Sequence, residues 1–187
     1  MKKNFSRSIL GRLNLSIIFF RTSVAAIVLI TIAVCFKKAQ IPPRKTTFVS
    51  KTVIKGNALV IDGDSISISS TRIRLLGIDA PELQQFCGKK RTRYPCGLEA
   101  KKYLRQLIAS DPVTCHWYKK DKYQRILATC KTKRISNINA TLVRNGWAIS
   151  YYDYPKEEQE ARKKKKGIWQ SNFQRPREWR RAHSQAG

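Results

Sequence analysis

Residues 60–82 read VIDGDSISISSTRIRLLGIDAPE. Apolar and polar residues alternate through most of this stretch, the period of a strand with one buried face. Ile61-Asp62-Gly63-Asp64 ends one apolar run, and residues 65–68 and 71–76 form two more across the Ser-rich turn Ser69-Ser70. The stretch therefore predicts a strand followed by a hairpin. Asp62 and Asp64 fall at one end of the hairpin and Asp79 and Glu82 just past its return strand, so the two pairs can converge on one mouth beside Arg72 and Arg74. Oxygen donors of this kind suit Ca²⁺ or Mg²⁺. Asp-Gly-Asp is equally an ordinary turn sequence. The strand-borne arginine turns the reading toward chemistry, because a guanidinium beside carboxylates is what binding a phosphate next to a metal requires.

Working outward, 187 residues allow one domain of ordinary size with an appendage. The net charge of +26, from 38 basic and 12 acidic residues, exceeds what solubility needs and points to a polyanionic partner. Nucleic acid fits, since Lys and Arg contacts to phosphate release counterions. An anionic membrane surface competes for part of the excess. A basic membrane-surface protein without nucleic-acid function leaves the acidic cluster unexplained.

Lys2, Lys3, Arg7 and Arg12 precede an apolar stretch over residues 13–36 that Arg21 interrupts. Residues 22–36 alone would rise about 22 Å as a helix, short of a hydrocarbon layer of roughly 30 Å. Adding residues 13–20 makes the segment long enough, with Arg21 off centre and able to snorkel. Residues 1–38 thus predict an N-terminal hydrophobic helix, a signal-anchor in preference to a cleaved signal peptide because no small-residue cleavage pattern follows. This segment would contact the membrane. Residues 39–51, with Pro42-Pro43, predict a linker.

Cys35 lies in the apolar stretch, and Cys87, Cys96, Cys115 and Cys130 follow in the body of the chain. Zinc is the rival of disulfides here, but there is no Cys-x-x-Cys, and neither His116 nor His183 completes a ligand spacing. An even number suits two bridges in an oxidising compartment, which predicts export to a periplasmic or extracellular face. Cys115 and Cys130 lie symmetrically about a turn near Lys122-Tyr123 and can face each other across a hairpin, leaving Cys87 with Cys96.

Residues 83–97 lack a regular pattern and predict a loop; residues 98–109 place Ala100, Leu104, Leu107 and Ile108 at helical spacing. Two alternating runs then give a second hairpin whose tip carries Lys122, Tyr123 and Arg125. A second helix is expected over 137–145, capped by Asn137 and ended by Gly146, and a third over 156–166. Tyr151, Tyr152 and Tyr154 fall between them, where tyrosines beside a basic surface can stack on bases or pack in the core. Residues 182–187 read as a tail.

VIDGDS, RIRLLGIDAPE, DKYQR and LVRNGWA resemble, in order, successive motifs of the staphylococcal (micrococcal) nuclease family, over about residues 51–180. The resemblance implies a mainly β fold with α, a five-stranded OB-fold barrel with three helices, over residues 52–181. It implies Ca²⁺ held by Asp64, Asp79 and the backbone carbonyl of Ala80, where the family often has Thr, with Asp62 orienting the site. Glu82 would position or deprotonate water, and Arg74 and Arg125 would clamp the phosphate. Lys122, Tyr123, Tyr152 and Tyr154 would contact nucleic acid. The implied reaction is hydrolysis of DNA and RNA phosphodiesters by a monomer, with unpaired strands favoured, little sequence preference and 3′-phosphate ends. The alternative is a non-catalytic OB module that holds single strands, yet all the acids and both arginines are present. One departure is Gln124, where the family usually has Gly; a side chain there disfavours a turn needing positive φ and bears on the placement of Arg125.

Overall fold

The computed structural model describes residues 52–184, so the expected hydrophobic helix and linker over residues 1–51 lie outside it. In chain order the elements are Thr52–Gly56 (β1), Ala58–Val60 (β2), Ser65–Ile68 (β3), Thr71–Leu75 (β4), Ile78–Asp79 (β5), Cys96–Ile108 (α1), Val113–Lys120 (β6) and Ile126–Lys131 (β7). There follow Ile138–Arg144 (α2), Ile149–Ser150 (β8), Pro155–Lys163 (α3), a 3₁₀ turn at Gly167–Gln170 and Pro176–His183 (α4). Among the described residues no helix is long and apolar enough to cross a membrane.

The opening strand closes the sheet. The ladder runs β1-β6-β7-β4-β3-β2, and only Asn57 separates the strands at its two ends. One bent strand therefore lies along both edges, and the sheet curls round on itself. The bend falls beside Gly56, where a Cβ would sit 2.7 Å from the Ile68 side chain. Every pairing is antiparallel except β4 with β7, which run parallel from Ile73↔Ile126 to Leu75↔Ala128. This is an OB-like barrel. The expected five strands are met by counting β1 and β2 as one, and a separate pair, β5 with β8, stands beside the main sheet. A fourth helix, α4, joins the three expected from the sequence and runs on to His183.

The β3–β4 hairpin forms as its alternation predicts. Ile66, Ile68, Ile73 and Leu75 are buried, each worth about 1.5–3 kcal/mol of burial, while Arg72 and Arg74 fall on the opposite face. Ile68 pairs with Thr71 across Ser69 and Ser70, both left-handed at φ 46° and 67°, the conformation a two-residue hairpin turn demands. Helix α1 starts two residues before the expected boundary and lays Ala100, Leu104 and Ile108 against the barrel.

Asn137 caps α2 by accepting a hydrogen bond from the Ala140 N–H at 3.0 Å. Within the helix, fully buried Asn139 accepts from the Cys130 N–H at 3.1 Å and donates to the carbonyls of Leu76 and Ala128 at 2.9 and 3.0 Å. Its amide thus ties the end of β4 to β7. Cys115 and Cys130 are direct register partners and form one disulfide; Cys87 and Cys96 form the other.

Candidate active site

The floor of the site is built by the turn after β2. Asp62 Oδ1 accepts the Asp64 N–H at 2.9 Å, an Asx turn that aims the Asp64 carboxylate inward. There Asp64 Oδ2 accepts the Ala80 N–H at 2.7 Å, and Oδ1 accepts the Ser65 hydroxyl at 3.2 Å. Gly63 makes this approach feasible, because a Cβ on it would lie 2.8 Å from that of Ala80. Asp64 and Asp79 are 7% and 2% exposed, unusual burial for carboxylates. Burial pushes the Asp64 carboxyl up to about 7, against the pull of Arg74, with Asp62 and Asp79 adding to the rise.

Arg74 answers this charge. Its Nη1 is ion-paired with Asp64 Oδ2, and its Nη2 donates to Asp79 Oδ1 at 3.0 Å. Both terminal nitrogens of Arg74 are thus engaged by the cleft carboxylates, which fixes the guanidinium plane at the floor of the cleft. The second expected arginine arrives by the parallel pairing. Arg74 follows Ile73 and Arg125 precedes Ile126, and these two isoleucines are partners, which brings both guanidinium groups to one side of the barrel. Gln124 does take the left-handed conformation, φ 62°, so the tip keeps the turn that the family makes with glycine. Asp121 holds it by accepting from the N–H groups of Tyr123 at 2.9 Å and Arg125 at 3.0 Å, and from Arg125 Nε at 2.8 Å. Lys122 lies over the Tyr123 ring at 4.9 Å.

Asp62, Asp64, Asp79, Ala80, Glu82, Arg74, Arg125, Lys122 and Tyr123 all line one cleft of about 780 Å³. Among the described residues no three His, Cys, Asp or Glu side chains are gathered tightly enough to form a metal cluster. A cation there would need backbone oxygen as well. Tyr152 is 87% exposed and lines a neighbouring pocket of about 430 Å³ together with Arg74 and Arg125. Tyr154 lines neither: it precedes Pro155 at the start of α3 and packs against the core. Tyr151 is the tyrosine that reaches both.

Three residues of the site escape the sequence motifs. Arg180 of α4 donates to Asp79 through both terminal nitrogens, Nη1 to Oδ1 at 3.0 Å and Nη2 to Oδ2 at 3.1 Å, and to Glu82 Oε1 at 2.6 Å. Although burial opposes its charge, the hydrogen bonds to Asp79 and Glu82 hold its guanidinium above the ordinary arginine range. Fully buried Gln85 accepts the Glu82 N–H at 3.2 Å and donates to the Gln174 carbonyl at 2.6 Å, joining the Glu82 turn to the segment before α4. Gly97 presses on the same turn; a Cβ there would meet the Glu82 carbonyl oxygen at 1.7 Å.

An OB-like barrel that gathers acids and arginines in one cleft defines a class, and comparison with known proteins narrows it. The family model described as staphylococcal nuclease homologue matches residues 72–171, and the chain belongs to that family. Among its relatives, the succinoglycan biosynthesis protein ExoI of Rhizobium meliloti (strain 1021) is 34% identical over 125 residues, 63% of this chain and 65% of its own length. This chain therefore spans just under two thirds of that relative. An uncharacterized endonuclease of Escherichia coli is 34% identical over 120 residues, 59% of this chain and 72% of its own. A micrococcal nuclease of Shigella flexneri is 32% identical over 148 residues, 68% and 80% of the two chains.

Proposed function

We propose that this protein is a calcium-dependent endonuclease that hydrolyses DNA and RNA phosphodiester bonds with little sequence preference and leaves 3′-phosphate ends. The observation that carries the reading is the meeting in one cleft of Asp64, Asp79 and Glu82 with Arg74 and Arg125. Family membership and relatives named as nucleases support it at the level of the reaction.

The residues present fit a hard cation. The donor set is all oxygen, and Asp64 is a desolvated carboxylate whose carboxyl stays up at about 7 even against the pull of Arg74, so a further cation would favour its charged form. Asp64, Asp79 and the Ala80 carbonyl are the proposed ligands; the Ala80 N–H bond to Asp64 keeps that stretch of backbone against the carboxylate. Calcium, when bound, supplies Lewis-acid neutralisation of charge on the phosphate oxygens. Asp62 orients Asp64 through the turn they share. Arg74 and Arg125, which line the same cleft, hold the phosphate in forked contacts and offset the charge that builds as the fifth oxygen approaches. Glu82 accepts the proton of the attacking water, at a position fixed by Gln85 and Gly97. Sequence preference is weak because these groups address the backbone rather than base edges. Lys122, Tyr123, Tyr151 and Tyr152 extend the same surface for unpaired bases and phosphates. The two disulfides support a site of action outside the cytoplasm.

The test is cleavage of end-labelled single-stranded DNA and RNA by the full-length protein with Ca²⁺ or with EGTA, followed by analysis of the ends. Calcium-dependent cutting that leaves 3′-phosphates is the expected result. Tight binding with no cutting under either condition would make the protein a single-strand-binding module instead.

A further inference from the structure

Helix α4 begins five residues beyond the last residue that the family model matches, yet it forms a wall of the cleft. Arg177, Arg180, Arg181 and Ser184 all line the cleft, and their spacing of three, four and seven residues is that of a single helix face. Gln85 ties the segment leading into this helix to the Glu82 turn through the Gln174 carbonyl. α4 is therefore seated on the site rather than draped over it.

What Arg180 does there conflicts with what Asp79 and Glu82 are proposed to do. Asp79 Oδ1 accepts from both Arg74 and Arg180, and Oδ2 accepts from Arg180 as well. An oxygen offers two lone pairs, so Oδ1 is filled and the forked grip of Arg180 spans both oxygens. A divalent cation on this carboxylate meets a guanidinium already in place, and like charges at such range repel strongly in a partly desolvated site. Glu82 is ion-paired with the same nitrogen at 2.6 Å, so its Oε1, the oxygen that would accept a proton from water, is already taken by a donor. Arg180 is also 43% exposed along its side chain, so it has room to leave. A phosphate offers a guanidinium the same forked geometry as a carboxylate, and Arg177 and Arg181 on either side make this face a place where phosphates collect.

We infer that Arg180 is a substrate-exchanged counterion: without nucleic acid it occupies Asp79 and Glu82 and weakens calcium binding, and with nucleic acid it moves to a backbone phosphate and releases both carboxylates. Calcium and nucleic acid then favour each other's binding, because each removes or relocates the charge that opposes the other. This rests on the reading of Asp79 as a calcium ligand.

Calorimetric calcium titrations of the full-length protein and its Arg180→Gln and Arg180→Lys variants test it, each with and without a nuclease-resistant phosphorothioate single strand. The wild type is expected to bind calcium about tenfold more tightly when the strand is present, a coupling of ordinary size. Arg180→Gln binds calcium about tenfold more tightly than wild type without the strand and gains little from adding it. Arg180→Lys, which keeps the charge and loses the fork, falls between the two and guards against misfolding of the first variant. Equal calcium affinities in all three proteins, or weaker binding by Arg180→Gln, overturn the inference alone. No calcium binding by any of them, with or without the strand, overturns the metal reading of the site and this inference with it.

Discussion

Two carboxylate–arginine pairs face the same side of the barrel and are shifted in opposite directions. Asp64 and Arg74 meet at the cleft floor, where burial drives the carboxyl up to about 7. Asp121 and Arg125 meet at the tip of the second hairpin. There desolvation is outweighed by hydrogen bonds from the Arg125 side chain and from the Arg125 and Tyr123 backbone, and the carboxyl is held below its ordinary value. The ion pair is the same; the number of backbone donors and the access of water differ. The first pair is set by sheet register and cannot be resolvated when broken. The second is set within one short loop, and water can replace either partner.

The largest test of that difference is Arg74→Lys. An ammonium cannot reproduce the fork between Asp64, Asp79 and a phosphate, and single-turnover cleavage is expected to slow by roughly 10²–10³. Retention of full turnover would remove Arg74 from the reaction.

Acid distinguishes the pairs next. A protonated Asp64 cannot ligate, so calcium affinity measured by calorimetry should rise about tenfold per pH unit up to about 7 and level off above it. The fold raises this carboxyl from 3.8 to about 7, so its contribution to stability is present below the lower value and lost as pH rises through the upper one. The metal-free protein should accordingly melt at lower temperature as pH climbs across that window. The Tyr123 and Arg125 amide resonances, which report on Asp121, should stay unchanged over the same range.

Asp121→Ala comes third. It leaves Arg125 in place but unaimed, and a loss of about tenfold in cleavage rate is expected with less than about 1 kcal/mol lost from urea stability. A rate loss as large as that of Arg74→Lys would erase the distinction between the pairs. The smallest effect belongs to Gln124→Gly, which relieves a left-handed side chain at some entropic cost and should stabilise by about 0.5–1 kcal/mol. Destabilisation would show that the glutamine side chain itself supports the tip.

The parts of the molecule legible in the sequence are those specified by contacts close along the chain. The β3–β4 hairpin follows from alternation and a two-residue turn, the α2 cap from Asn137, and the Cys115–Cys130 bridge from symmetry about a hairpin. The acids cluster because a short hairpin brings its own ends together. Arg180 was hidden for the opposite reason: 101 residues separate it from Asp79, and PREWRRAH is a charged octet without an apolar stripe to announce a helix face. Its one sequence signal is a proline at the first turn followed by arginines at helical spacing. Gln85 left no signal, because a buried amide looks like any loop glutamine until both of its partners are placed. Tyr152 and Tyr154 share a left-handed backbone yet point in different directions, one to solvent and one to the core, and no pattern in the sequence separates the two.

The clasp that Asn139 makes between the Leu76 and Ala128 carbonyls has a reach well beyond α2. Together with the β4–β7 pairing it fastens the two strands that deliver Arg74 and Arg125, so the spacing of the two guanidinium groups depends in part on a side chain from a helix that lines no part of the cleft. Drift at position 139 would shift the two arginines relative to each other without altering any residue of the cleft wall.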